Sequence, residues 1–138
     1  MKKFAIFLLV FVSLFSSLQA DPAQKLLVNI TSDGKYISPM AVAFAVRSKL
    51  NGFDTSILLN VEGVKLAVKG IKTTSCPDGK NVQDKLNKFM SLGGKVYVCP
   101  MCLKMQNYEP SQLIEGVELG GEKTIMPLLK SADKVISY

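Results

Sequence analysis

Lys95-Val96-Tyr97-Val98-Cys99-Pro100-Met101-Cys102 decides how this chain is read. Val96-Tyr97-Val98 follows the break at Gly93-Gly94 and reads as a strand end. Leu103, Met105 and Gln106 continue as a helix. Cys99 therefore falls at a strand-to-helix junction, beside the unpaired backbone N–H groups that open a helix. That setting lowers a thiol's pKa, and the thiolate is the reactive form. The plainer alternative is a buried structural cysteine acting as a small hydrophobe. Two cysteines at this spacing favour chemistry.

Upstream, Leu26–Thr31 is an apolar strand, followed by the polar loop Ser32-Asp33-Gly34-Lys35. Ser38-Pro39 predicts an N-cap with proline at the first helical position, and a helix to about Asn51 stopped by Gly52. That helix is apolar on several sides, which predicts close packing on a sheet or burial between subunits. Thr55–Val61 is the second strand and Glu62-Gly63 a turn. Val64–Val68 reads equally as a short helix or a strand. Residues 72–80 form a loop, and Asn81 caps a helix with Val82, Leu86, Phe89 and Met90 at helical spacing.

Downstream, Glu109-Pro110-Ser111 is a turn, and Leu113-Ile114 and Val117–Leu119 are short apolar pieces. Glu122–Ser131 reads as a helix that tolerates Pro127 if it lies in the first turn. Lys134–Tyr138 closes the chain as a strand. The alternation predicts an α/β fold: a single three-layer domain with a mainly parallel sheet of about five strands, Leu26–Thr31 central. Sites in such folds gather at the carboxyl ends of strands, where Cys99, the Ser32–Tyr36 loop and Glu62 fall.

Residues 1–20 read as a signal peptide. Lys2 and Lys3 are the basic start, Ala5–Leu14 the apolar run, and Leu18-Gln19-Ala20 the cleavage site. An uncleaved N-terminal anchor is the alternative. Export leaves residues 21–138 as the mature domain and predicts a periplasmic or secreted home, where a dithiol can be oxidised. The chain has no histidine, which excludes Cys–His pairs, Ser–His–Asp triads and His-ligated metals. Its three cysteines exclude a dense disulfide scaffold and leave one thiol unpaired within the chain. The net charge of +6 is spread along the chain and reads as a solvated surface, with no nucleic-acid motif.

Leu26–Thr31, Leu58–Val64, Lys95–Cys102 and the ending Leu128–Tyr138 together resemble the DsrE/DsrF-like family of small sulfur-handling proteins, of the YchN and TusD types. The resemblance covers the whole of residues 21–138. It implies an α/β domain, often assembled as a trimer or hexamer, and a persulfide on the junction cysteine, here Cys99. Cys102 belongs to the Cys-Pro-x-Cys form of some relatives. The export signal departs from the cytoplasmic relay proteins and argues against a role in tRNA modification. Cys76 has no counterpart in the family.

Four readings of the chemistry follow. In the first, Cys99 carries sulfane sulfur from a donor to an acceptor thiol, protein or small molecule, and Cys102 resolves the persulfide to a disulfide. In the second, Cys99 and Cys102 form a periplasmic thiol–disulfide redox pair. In the third, Cys99, Cys102, Met101 and Met105 bind a soft metal such as Cu(I); methionines at helical spacing more often fill a core, so no metal and no cofactor is expected. The fourth is a non-catalytic binding module. Three residues are accessory candidates. Cys76, in a loop with Pro77-Asp78-Gly79, is either an incidental exposed thiol or a resolving cysteine. Glu62 and Asp33 either line the Cys99 cleft, Glu62 as proton acceptor, or serve as turn residues. The partners expected are sulfur donors and acceptor thiols, no nucleic acid, and further copies of the chain.

Overall fold

Strands β1 (Lys25–Ile30), β2 (Asp54–Leu59), β3 (Lys95–Val98), β4 (Glu118–Leu119) and β5 (Lys134–Ser137) form one sheet in the order β4-β3-β2-β1-β5. Every pairing is parallel. The structure is a computed structural model that describes residues 22–76 and 78–138. The expected signal peptide, residues 1–20, lies outside the described residues, and among those no helix is long and apolar enough to cross a membrane.

Parallel strands need crossovers, and here helices supply them: α1 (Ile37–Leu50), α2 (Val82–Ser91), α3 (Pro100–Met105) and α4 (Glu122–Ser131). Alternation along the strands divides the core. Val28, Ile30, Ile57, Leu59, Val96 and Val98 face one way, onto Ala41, Val42 and Ala45 of α1 and Leu86 and Phe89 of α2. Leu27, Leu58 and Tyr97 face the other way, onto Ile125 of α4. The fold is therefore the expected three-layer α/β domain, with one thick helical layer and one thin one. β1 is an interior strand between β2 and β5.

Several local readings shift. Ser38 is not the cap of α1; Tyr36 is. The buried Ser38 hydroxyl instead donates back to the Gly34 carbonyl at 3.0 Å. Ser32 Oγ accepts the Gly34 N–H at 3.0 Å, and this tight loop starts the helix early. Pro39 still lies in the first turn, where no N–H is required. Pro127 does not: it sits inside α4, in the second turn. Its ring removes a bond to the Lys123 carbonyl, but both residues are exposed, so water can replace the partner. The ambiguous stretch after β2 is a 3₁₀ helix, Val61–Ala67. Asn81 caps α2 as expected, in a reciprocal box with Asp84 (2.9 and 3.0 Å).

The 3₁₀ helix is pinned to the end of β1. Asn60 N–H donates to the Ile30 carbonyl at 3.0 Å, and the N–H groups of Glu62 and Gly63 donate to the Thr31 carbonyl at 3.1 and 3.2 Å. A Cβ on Gly63 would collide with the Ile30 carbonyl oxygen. Gly63→Ala is therefore expected to lower stability by about 1–3 kcal/mol, the usual cost of overpacking. Urea unfolding measures it, and an unchanged midpoint would contradict the close approach.

Candidate functional site

Three chain segments leave the sheet at its carboxyl edge and meet there: Thr31–Lys35 after β1, Asn60–Gly63 after β2, and Cys99–Cys102 after β3. Cys99 is the N-cap of α3, and its sulfur accepts the Cys102 N–H at 3.4 Å. Pro100 takes the first helical position, where its missing N–H costs nothing. Cys99 N–H donates to the Leu59 carbonyl at 2.9 Å, so Cys99 and Asn60 leave the sheet side by side. The Cys99 thiol lies beside the Cys102 thiol, and Cys102 packs against the main core. Both thiols are half-buried and free. Burial pushes the Cys102 thiol above its ordinary range and the adjacent Cys99 thiol adds to this; the Val61 backbone acts in the opposite direction.

Two features of this edge were not anticipated. Val61 has φ of +51°, a left-handed conformation that is strained for a β-branched side chain and costs on the order of 1–3 kcal/mol. It survives because the bonds of Asn60, Glu62 and Gly63 to β1 hold both sides of it. The second is a ladder of amides. Asn29 Nδ2 donates to Ser137 Oγ at 3.2 Å, and Asn60 Nδ2 donates to Asn29 Oδ1 at 2.7 Å. Asn60 Oδ1 is buried without a hydrogen-bond partner among the described residues, beside the Cys99 junction. A signal for this existed: Asn29 interrupts an apolar strand, and Asn60 follows Leu58-Leu59 directly. The Val61 conformation had no sequence signal, since valine is a poor choice for it.

The accessory candidates separate. Asp33 is in the edge loop, but its carboxylate is held by Lys65 at 3.2 Å. Glu62 is exposed on the same edge, in the first turn of the 3₁₀ helix, and its backbone N–H donates to the Thr31 carbonyl. Cys76 contradicts the expectation of an exposed thiol: it is 5 % exposed. It is buried because its loop folds back, Cys76 N–H donating to the Lys80 carbonyl and Ser75 bridging to Asn81. It lines a cavity against α1 that Cys99 and Cys102 do not line. Met101 and Met105 do not fill a core either; they are 70 % and 76 % exposed, because the short α3 buries only Leu103. Among the described residues no group of three or more Cys, Asp or Glu side chains is placed to hold a metal ion.

These features define a small parallel α/β protein with a cysteine pair at the junction of its third strand and the following helix. The chain belongs to the DsrE/DsrF-like family, whose model matches residues 24–138. The uncharacterized protein MJ0989 of Methanocaldococcus jannaschii is 30 % identical over 105 residues, 76 % of this chain and 90 % of that protein. The protein YchN of Escherichia coli is 26 % identical over 99 residues, 72 % of this chain and 82 % of YchN. The crystal structure of Escherichia coli YchN shares the fold at a TM-score of 0.71 and 22 % identity, over 84 % of this chain and 99 % of that one. A protein of unknown function from Methanobacterium thermoautotrophicum, MTH1491, shares it at 0.66 and 12 % identity, over 83 % and 99 %.

Burial raises the Cys76 thiol above its ordinary range, with Lys85 pulling the other way. A raised pKa leaves less thiolate at neutral pH. Iodoacetamide at about pH 7.5 is therefore expected to label Cys76 at least about tenfold more slowly than Cys99. The Cys76 rate should still be climbing above about pH 9, where a simple thiol is levelling off. Site-resolved mass spectrometry reads both, and equal rates would mean that the 72–80 loop does not protect Cys76.

Proposed function

We propose that this protein is an exported sulfur carrier that holds sulfane sulfur as a persulfide on Cys99. The observation that carries the reading is the junction itself. A half-buried thiol stands at the carboxyl end of a parallel strand, with a backbone N–H on its sulfur and a second thiol one helical turn away. Membership of the DsrE/DsrF-like family supports a sulfur-related role. The Cys99 thiolate attacks the outer sulfur of a donor such as thiosulfate. A new S–S bond forms, the old one breaks, and sulfite departs with the bonding electrons. An acceptor thiolate then attacks the terminal sulfur and regenerates Cys99. Cys102 can attack the inner sulfur instead, which expels hydrosulfide and leaves a Cys99–Cys102 disulfide. Donor and acceptor are small sulfur compounds or thiol proteins of the compartment to which residues 1–20 direct the chain.

Intact mass separates this from the redox reading, which the adjacency of the two thiols also favours. After incubation with thiosulfate or polysulfide, a reductant-sensitive species about 32 Da heavier is expected, and it should vanish in Cys99→Ser. A species about 2 Da lighter, with no heavier one in the wild type or in Cys102→Ser, would make the protein a thiol–disulfide redox partner instead.

Assembly belongs to the same proposal. The thin layer leaves Met126 and Leu129 of α4 and Val135 of β5 exposed, an apolar surface that a trimer or hexamer would cover. Light scattering at micromolar concentration should report an oligomer, and Met126→Lys with Leu129→Lys should reduce its mass. A wild-type monomer contradicts the assembly.

A further inference from the structure

A cavity of about 540 Å³ opens between α1 and the 72–80 loop. That volume lies in the range of small-molecule sites, roughly 300–1,000 Å³. Pro39, Met40, Ala43 and the Cys76 thiol give it an apolar wall. Lys35, Arg47 and Lys85 ring it, and no carboxylate of the described residues lines it. Lys85 is paired with Asp78 at 2.9 Å, whereas the Arg47 guanidinium has no ion pair among the described residues. A second cavity of about 400 Å³ continues the groove past Ala43 and Arg47; it adds Lys80 and Lys88 and one carboxylate, Asp78, which Lys85 holds. Tyr36, Met40 and Leu50 are the large side chains that this groove leaves uncovered, Met40 at 64 % exposed.

An apolar wall under an unpaired guanidinium selects a ligand with both characters. Arginine holds carboxylate, sulfonate or phosphate heads through two parallel hydrogen bonds. An apolar body against Met40 and Ala43 removes that surface from water. A two-fold copy of the chain is a poor occupant of this face, because such a contact would set Arg47 and Lys85 against their own counterparts. We propose that the groove along α1 binds a small amphiphilic organic anion, its apolar body against Met40 and Ala43 and its head on Arg47. This site is separate from the cysteine pair, since neither Cys99 nor Cys102 lines it.

Anilinonaphthalene sulfonate, an aromatic sulfonate whose emission rises in apolar surroundings, is a suitable probe. The purified protein should bind it saturably, one per chain. Arg47→Glu and Met40→Glu, both at exposed positions that the fold does not depend on, should each weaken binding about tenfold or more. Saturating probe should slow alkylation of Cys76 at least about fivefold, because the bound body covers that wall, and leave Cys99 unchanged. Decanoate should displace the probe and decanol should not, which separates an anion site from a merely apolar one. Four results overturn the proposal: both variants binding within about twofold of wild type, no protection of Cys76, displacement by decanol as effective as by decanoate, or a fall in solution mass on Met40→Glu, which would assign this face to another copy of the chain. Circular dichroism confirms that each variant is folded.

Discussion

The backbone of Asn60–Gly63 is hydrogen-bonded to the carbonyls of Ile30 and Thr31, and the approach leaves no room for a Cβ at Gly63. Most of the carboxyl edge depends on that contact. It brings the segment after β2 over the end of β1 and holds Val61 in a left-handed conformation that valine disfavours. Val61 in turn lies against Cys102 and accepts a contact from Gln106 Nε2 at 3.5 Å. Strain in the loop is thus offset by ordinary backbone bonds one strand away, and the result is a fixed wall beside the two thiols.

The sheet's two faces divide the work. The thick layer holds nearly all of the large buried side chains, among them Phe89, Leu86 and Ile57, and supplies most of the stability. The thin layer is α4 on Leu27, Leu58 and Tyr97, with apolar side chains still exposed around it. The two thiols lie beside each other at the carboxyl edge, and Cys102 is backed by the main core. The amide ladder from Ser137 through Asn29 to Asn60 runs along the edge from β5 to the end of β2, and among the described residues its last oxygen is unpaired. A buried acceptor without a donor costs stability, of order 1–3 kcal/mol, and such costs persist most readily where a site uses the group.

The three cysteines differ because their surroundings differ. Cys76 is enclosed by its own loop, and burial pushes its thiol up. Cys102 is raised by burial against the core and by its neighbour. Cys99 alone stands as a helix cap, with a backbone donor on its sulfur. No histidine is present to take a proton, so backbone groups and the second thiol are what this edge offers to sulfur chemistry.

The amino-acid sequence by itself determined the order and type of nearly every element, because apolar alternation, the Asn81 cap and the Gly93-Gly94 break act over a few residues. The parallel sheet followed from the alternation of strands with helices, and the place of Cys99 followed from the strand before it and the proline after it. What only the tertiary structure decided was set by contacts between distant segments. Ser38 lost its capping role to a loop bonded by Ser32. Pro127 entered a second turn because α4 is exposed there and water can take the freed carbonyl. Cys76 became buried through the fold of its loop, and Met101 and Met105 became exposed because α3 is too short to bury more than Leu103. Asp33 was drawn to Lys65, thirty-two residues away, and Asn60 to Asn29, thirty-one away. Local periodicity carries no information about which distant side chain will lie opposite; the sheet register supplies it.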